Sequence, residues 1–415
     1  MKKAKLIGPF TQLLPMTGLS LKGAIADSEL SVLEDSGILV EDRKIRSIGK
    51  FDILRNLHPK AEIFLLKGHN VGIPGFIDAH THICFGGSRA NDYAMRNAGK
   101  SYLEIAKAGG GIWDTVTQTR QATQEELVDG ILERARWHLE NGTTTIEVKS
   151  GYGLSLSEEI KMLRAIKEAN LRSAADLVST CLAAHILPKD FRGTAEAYLK
   201  AMGDQLFPIL TKENLAHRID AFIEESAFSS EQISPYLQKA KAMGFSITVH
   251  ADQFTTGGSE VAVQFGAISA DHLEVSGEEE IRLLAQSDTI ATALPGATLG
   301  LGCSFAPARR ILDAGGVLVI ASDHNPGSAP MGNLLVQATL IGVFEKLSNA
   351  EVLAGITFRA AAALGLSDRG QLAEGFLADF LVFPTGHYNE ILYHQGSLGP
   401  SRVWKKGELV CDKNK

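Results

Sequence analysis

The sequence is poor in cysteine. Cys84, Cys181, Cys303 and Cys411 are spread over 415 residues and form no CxxC pair. That argues against a cysteine-based zinc site and a disulfide scaffold, and reduced thiols in the cytoplasm are the simplest expectation. An excess of basic charge is missing too. There are 41 Lys and Arg against 48 Asp and Glu, a net charge of −7. A general nucleic-acid binder needs the opposite balance, and nothing here marks a membrane surface as a partner. No uninterrupted apolar run reaches the length of a membrane span. The start, MKKAKLIGPFTQLL, has a basic tip but no apolar run leading to a small-residue cleavage site, so it reads as mature protein. Low-complexity segments and short-period repeats are also lacking.

What is present is ordinary for a globular protein: 45% hydrophobic and 21% charged residues, enough for a large core. The length suggests one large domain with an appendage, or two domains. The two ends share a style. SGILVEDRKIRSIGK reads as a hairpin, and LADFLVFP and SRVWKKGELVC read as short strands around turns. Residues 1–70 and 366–415 are therefore expected to build one small β-domain.

Residues 71–365 follow another pattern. Eight short apolar runs occur, most followed by amphipathic helical sequence: GFIDAH (75–80), TTTIEV (143–148), DLVSTCLAAH (176–185), RIDAFIEE (218–225), FSITVH (245–250), AISADH (267–272), TIATALP (289–295) and VLVIAS (317–322). Helical candidates such as SEEIKMLRAIKEAN and SPYLQKAKAMG lie between them. Alternating strands and helices predict an α/β fold, here a (β/α)8 TIM-like barrel. An open doubly wound sheet is the alternative, but no GxGxxG follows the first strand. The stretch from Cys84 to about Thr115 reads as a long loop with glycine clusters at Gly86–Gly87 and Gly109–Gly111. Such a loop after a barrel strand is more often functional than idle.

Active sites of such barrels form where the strands end. Of 12 histidines, His80, His82, His185, His250 and His272 lie at the ends of four predicted strands. His80 and His82 alone admit a plain reading, two polar residues bonded to backbone. Barrel closure changes that, because it brings strands one, five and eight together. His80, His82, His250 and Asp323 then converge as a donor set for one zinc or iron ion. Lys149 invites comparison with a carboxylated bridging lysine. It follows the second run, however, and the fourth ends without a lysine, so one metal is expected. His324 should point away from the metal if the last strand persists, and should replace a ligand if the turn starts early.

These residues carry a resemblance. PGFIDAHTH resembles the signature of the amidohydrolase superfamily. FGGSR, GTTTIEVKSGYG, HADQ, SADHLE, PARRILDAG and SDHNPGS look more narrowly like the imidazolonepropionase family, from about residue 70 to the end. The resemblance implies a cytoplasmic homodimer with one Zn2+ or Fe3+ per chain. The implied reaction is hydrolysis of 4-imidazolone-5-propanoate to N-formimidoyl-L-glutamate in histidine degradation. His80, His82, His250 and Asp323 match the family's metal ligands. Arg89, Tyr152 and His185 match its substrate-binding residues, and Asn325, Gly327 and Ser328 its substrate loop. His272 matches a catalytic histidine, and Asp323 is expected to take the proton of the attacking water. One departure stands out. Gln253 follows HAD where many family members carry Glu, and an amide is no general base. Two rivals remain: a deaminase of an uncharged ring, and a non-catalytic scaffold, which would be expected to have lost ligands.

Overall fold

The computed structural model describes residues 4–100 and 102–414. Two eight-stranded sheets organise the chain. The first is mixed and draws on both ends. The strands Lys5–Leu13, Leu33–Glu41, Lys44–Lys50, Glu62–Leu65 and Val71–Pro74 come from one end, and Phe380–Phe383, Arg402–Lys405 and Glu408–Asp412 from the other. The two groups meet where Phe380–Phe383 runs antiparallel to Val71–Pro74. The expected hairpin is there: Leu33–Glu41 pairs with Lys44–Lys50. Asp42 and Arg43 turn it with φ of 49° and 72°, the positive-φ pair of a tight hairpin turn. Phe10, Ile38, Phe380 and Trp404 form this sheet's core.

The second sheet is parallel throughout, with its strands in chain order. They are β1 (Phe76–Asp78), β2 (Thr143–Lys149), β3 (Asp176–Ala184), β4 (Arg218–Phe222), β5 (Ser246–Ala251), β6 (Ser269–His272), β7 (Ile290–Ala293) and β8 (Leu318–Ile320). Each of the eight apolar runs coincides with one of them, β2 and β5 extending one residue beyond their runs. The sheet curls until its ends meet. A parallel bridge links Thr81 to His324. Asp323 N–H donates to His80 O at 3.0 Å, and His82 N–H to His324 O at 2.9 Å. The barrel is thus closed by the backbone of the residues expected to bind metal, His80, His82 and Asp323, and by their neighbours Thr81 and His324.

Helices cover the barrel, and their starts are written locally. Thr123, Ser155, Thr194 and Ser229 each accept a backbone N–H three residues on, which fills one of the unpaired donors at a helix start. Their apolar faces pack on the strands in one continuous core. The passage from the first sheet into β1 runs through Gly75. A Cβ there would lie 2.4 Å from Thr144 Oγ1, so the backbone can pass only without a side chain.

The stretch after Cys84 differs from the expected loop. It folds into short helices, Ala90–Asn97 and Tyr102–Lys107, and leads into Ile112–Gln121. Its glycines end and start these helices: Gly99, Gly109 and Gly111 all have positive φ. Glycine clusters in a sequence mark breaks between such short helices as readily as an irregular loop.

Candidate active site

The ends of β1, β5 and β8 bring three imidazoles and a carboxylate together. Nε2 of His82 lies 3.2 Å from Nε2 of His80 and 3.3 Å from Nε2 of His250. Asp323 Oδ1 lies 3.5 Å from His80 Nε2 and 3.4 Å from His82 Nε2. All four side chains are buried. The three histidines form a group able to hold a metal ion.

The outer nitrogens decide what the inner ones offer. His80 Nδ1 donates to Asp271 at 2.7 Å, and His250 Nδ1 donates to Asp220, whose Oδ2 is 3.1 Å away. With those protons on Nδ1, both Nε2 atoms turn lone pairs to the centre. Burial, ahead of the charges around them, pushes all three imidazoles well below their usual pKa, so they stay neutral. Neutral imidazoles with lone pairs converging at this spacing need a cation between them. The donor set therefore fits a metal ion of the zinc or iron kind. Burial pushes the Asp323 carboxyl up to about 6, a shift that a bound cation would reverse.

Beneath the histidines lies a layer that sequence reasoning left without a role. Lys149 Nζ is 2.8 Å from Glu147, 2.8 Å from Asp220 and 3.8 Å from Asp271. Burial works against its charge, but the three carboxylates outweigh it and raise its pKa. Lys149 is thus an ammonium balancing the two carboxylates that orient ligand imidazoles. Asp78 shares a strand with the cluster but is engaged elsewhere. Its Oδ1 accepts Ser322 N–H at 3.0 Å, and its Oδ2 lies 3.8 Å from His138. His324 turns away from the cluster, with Nδ1 2.9 Å from His138 Nε2, although the extended strand has ended at Ile320 and Asp323 has a φ of 52°.

A cavity of about 340 Å³ opens above the cluster. His82, His250, His272 and Asp323 form part of its wall, as do Arg89, Tyr152, His185, Gln253, Asn325, Gly327 and Ser328. Every site residue expected from the sequence except His80 lines it, and His80 sits in the metal cluster. Arg96, Lys100 and Phe222 line it too and were not anticipated; two of them lie in the stretch read as a loop.

Each side chain is held in a specific way. Arg89 Nε donates to buried Asp92, which also accepts Gly111 N–H at 2.8 Å. Arg96 Nη1 donates to Gly300 O at 2.6 Å. His185 Nδ1 donates to Gly151 O at 2.9 Å. A carbonyl only accepts, so His185 Nε2 is left as an acceptor. Burial pushes His185 down to about 4. Asn325 Nδ2 donates to Asp323 Oδ2 at 2.9 Å, while its Oδ1 accepts the N–H of Gly327 and of Ser328 at 2.8 Å each. His272 lies 3.4 Å from Glu274. Burial opposes charge on His272, but Glu274, then Asp323 and Asp271, outweigh it and raise its pKa. Positive φ recurs at these strand ends, at Asp252 (53°), His272 (91°) and Asp323 (52°), the kind of strain that collects at functional sites.

Residues 71–410 match the sequence signature of the Amidohydrolase family. The chain is 39% identical over 394 residues to an imidazolonepropionase of Symbiobacterium thermophilum, covering 93% of this chain and 92% of that one. It is 39% identical over 387 residues to an imidazolonepropionase of Acinetobacter baumannii, covering 92% and 96%. The chain belongs to the amidohydrolase family, and within it to the imidazolonepropionases. Solved structures agree on the fold. An adenosine deaminase from Xanthomonas campestris with bound zinc superposes with a TM-score of 0.72 at 18% identity, over 98% of this chain and 93% of that one. A guanine deaminase from C. acetobutylicum superposes with a TM-score of 0.68 at 17% identity, over 98% and 100%. At such identities the likeness speaks for the barrel and its added sheet alone. Among the described residues no helix is long and apolar enough to cross a membrane.

Proposed function

We infer that this chain hydrolyses the cyclic amide bond of 4-imidazolone-5-propanoate to N-formimidoyl-L-glutamate, a step of histidine degradation. One observation carries the reading at the site. A guanidinium, Arg89, lines the same cavity as a three-histidine, one-carboxylate cluster, in a chain similar to imidazolonepropionases along nearly its whole length. The substrate pairs a flat lactam ring with a propanoate tail, and the cavity offers a partner for each.

His80, His82, His250 and Asp323 would hold one Zn2+ or Fe3+ ion, which when bound supplies Lewis acidity toward water and carbonyl. The remaining work falls to side chains. Arg89 grips the propanoate with its planar fork, a match a lysine cannot copy. Tyr152 and His185 hold the ring, His185 accepting at Nε2. Gln253 bonds the ring through its amide and moves no proton. Asp323 accepts the proton of the attacking water. His272, whose charged form is favoured by Glu274, donates toward the oxygen that gains charge. The carbon–nitrogen bond then breaks as the leaving nitrogen takes up a proton. Asn325, Gly327 and Ser328 close the wall beside Asp323. The same reading sets the reaction in the cytoplasm and the chain in a homodimer, which a sedimentation run checks.

The test is a substrate panel read by mass spectrometry. Imidazolonepropionate should give N-formimidoyl-L-glutamate, while guanine, adenosine and amino-triazines should be returned unchanged. Ammonia released from one of those uncharged rings, with imidazolonepropionate untouched, would favour a deaminase instead. Elemental analysis of the same sample should find one zinc or iron per chain.

A further inference from the structure

The loop that carries Tyr152 is held by its backbone from two sides, by residues that do not line the cavity. Glu159 stands in the first turns of helix Leu156–Arg172 and is fully buried. Its Oε1 accepts the N–H groups of Gly153 and Leu154 at 2.8 Å each, and its Oε2 accepts that of Gly151 at 3.2 Å. The Ser150 hydroxyl adds a further bond. Among the described residues Glu159 has no ion-pair partner. A carboxylate buried without a cation persists only where its lone pairs are filled, and here one loop fills them.

The other side belongs to Arg120, on helix Ile112–Gln121. Its Nε donates to Gly153 O at 2.7 Å and its Nη2 to Leu154 O at 3.2 Å. Gly153 and Leu154 are thus gripped by N–H and by C=O at once. The loop needs that grip, since φ is +110° at Gly151 and +51° at Leu154. Backbone of this kind is kept only when its surroundings over-determine it. What the loop presents is the Tyr152 ring, at the cavity wall, and Gly151 O, the acceptor for His185 Nδ1. The Arg120 helix also carries Thr115, whose hydroxyl lies 3.4 Å from Arg89 Nη1. One helix therefore touches Arg89 directly and, through Gly153 and Leu154, the loop that carries Tyr152.

We propose that Glu159 and Arg120 form a backbone clamp that places Tyr152 and fixes the Nδ1–H tautomer of His185. They are positioning residues that set substrate affinity without touching substrate. The inference rests on the substrate reading above for its effect on KM, but not for its effect on His185.

The experiment uses full-length, metal-loaded protein and the variants Glu159→Gln and Arg120→Met. A glutamine keeps one acceptor oxygen but turns an NH2 group toward a loop N–H, so part of the clamp is lost. Arg120 is partly exposed, so its variant folds even where the buried change does not. In each variant KM should rise about tenfold with kcat changed by less than about threefold, the expectation for losing a charge-assisted bond that acts on binding. Metal content should stay at the wild-type value. In a Tyr152→Phe background the added loss should shrink below about threefold, because coupled positions are not additive. Nitrogen NMR of histidine-labelled protein, with His185 assigned through His185→Asn, should show Nδ1–H in wild type and a mixed tautomer in both clamp variants. Wild-type KM in the variants, full additivity with Tyr152→Phe, or an unchanged His185 signal would overturn the clamp. The NMR reading needs no substrate. Wild-type protein inert toward imidazolonepropionate would therefore sink the substrate reading and leave the clamp to be judged by His185.

Discussion

Asp271 accepts the Nδ1 proton of His80 at 2.7 Å, so a carboxylate on β6 decides which nitrogen of a histidine just past β1 faces the cluster. Asp220 on β4 does the same for His250. Both carboxylates are buried, and both are balanced by Lys149. The four expected ligands are thus only the inner half of the centre.

Replacing Asp271 by Ala should free His80 to rotate and to take the other tautomer. Metal affinity should fall by about 10- to 100-fold, the usual effect of losing such a support. Competition with a coloured chelator measures it, and unchanged affinity would show that the bond does not orient the ligand.

Replacing Asp323 by Ala should lower turnover by about a thousandfold or more, even in protein reloaded with metal, because a ligand and a proton acceptor go together. Full activity in reloaded protein would sink the proposed role.

Metal binding should depend on pH in one direction. His80, His82 and His250 are pushed well below the usual histidine range, while Asp323 is pushed up to about 6. Above pH 6 none of the four carries a competing proton. Below it Asp323 does, and that proton must leave before the metal binds. Affinity should be flat from about pH 6.5 to 8 and fall about tenfold per unit below 6. A fall that begins above pH 7 would assign the competing proton to a histidine.

Arg89→Lys keeps the charge but loses the fork. It should raise KM by about tenfold or more with a smaller change in kcat. A substrate whose propanoate is converted to its amide should bind wild type and variant equally weakly. Equal KM for wild type and variant with the natural acid would take Arg89 away from the tail.

Much of this was legible in the sequence because the ends of the apolar runs coincide with the site. Apolar runs a strand long, spaced by helices, gave all eight barrel strands. Histidines at the ends of those runs gave the cluster, because barrel closure brings strand ends together. The supporting carboxylates were harder to see. Asp220 and Asp271 lie inside apolar runs, where their partners, on other strands, are invisible to spacing. Asp271 precedes His272 directly, so the eye settles on the histidine. A carboxylate within a strand core is itself a usable signal, since it needs a buried partner. Arg96 and Lys100 were missed for another reason. The glycines around them suggested irregular chain, while in the fold they punctuate short helices, with Arg96 on the first and Lys100 in the link to the second, both at the cavity wall.

The most direct test of the central claim is the absorbance of imidazolonepropionate after adding purified, metal-loaded protein, with a chelator-stripped sample beside it. Rapid loss is expected in the loaded sample, none in the stripped one, and recovery when zinc or iron is restored. That result would also show that Gln253 suffices without a carboxylate at its position. No loss in metal-replete protein would contradict the proposed reaction, and loss that survives stripping would contradict the role of the histidine cluster.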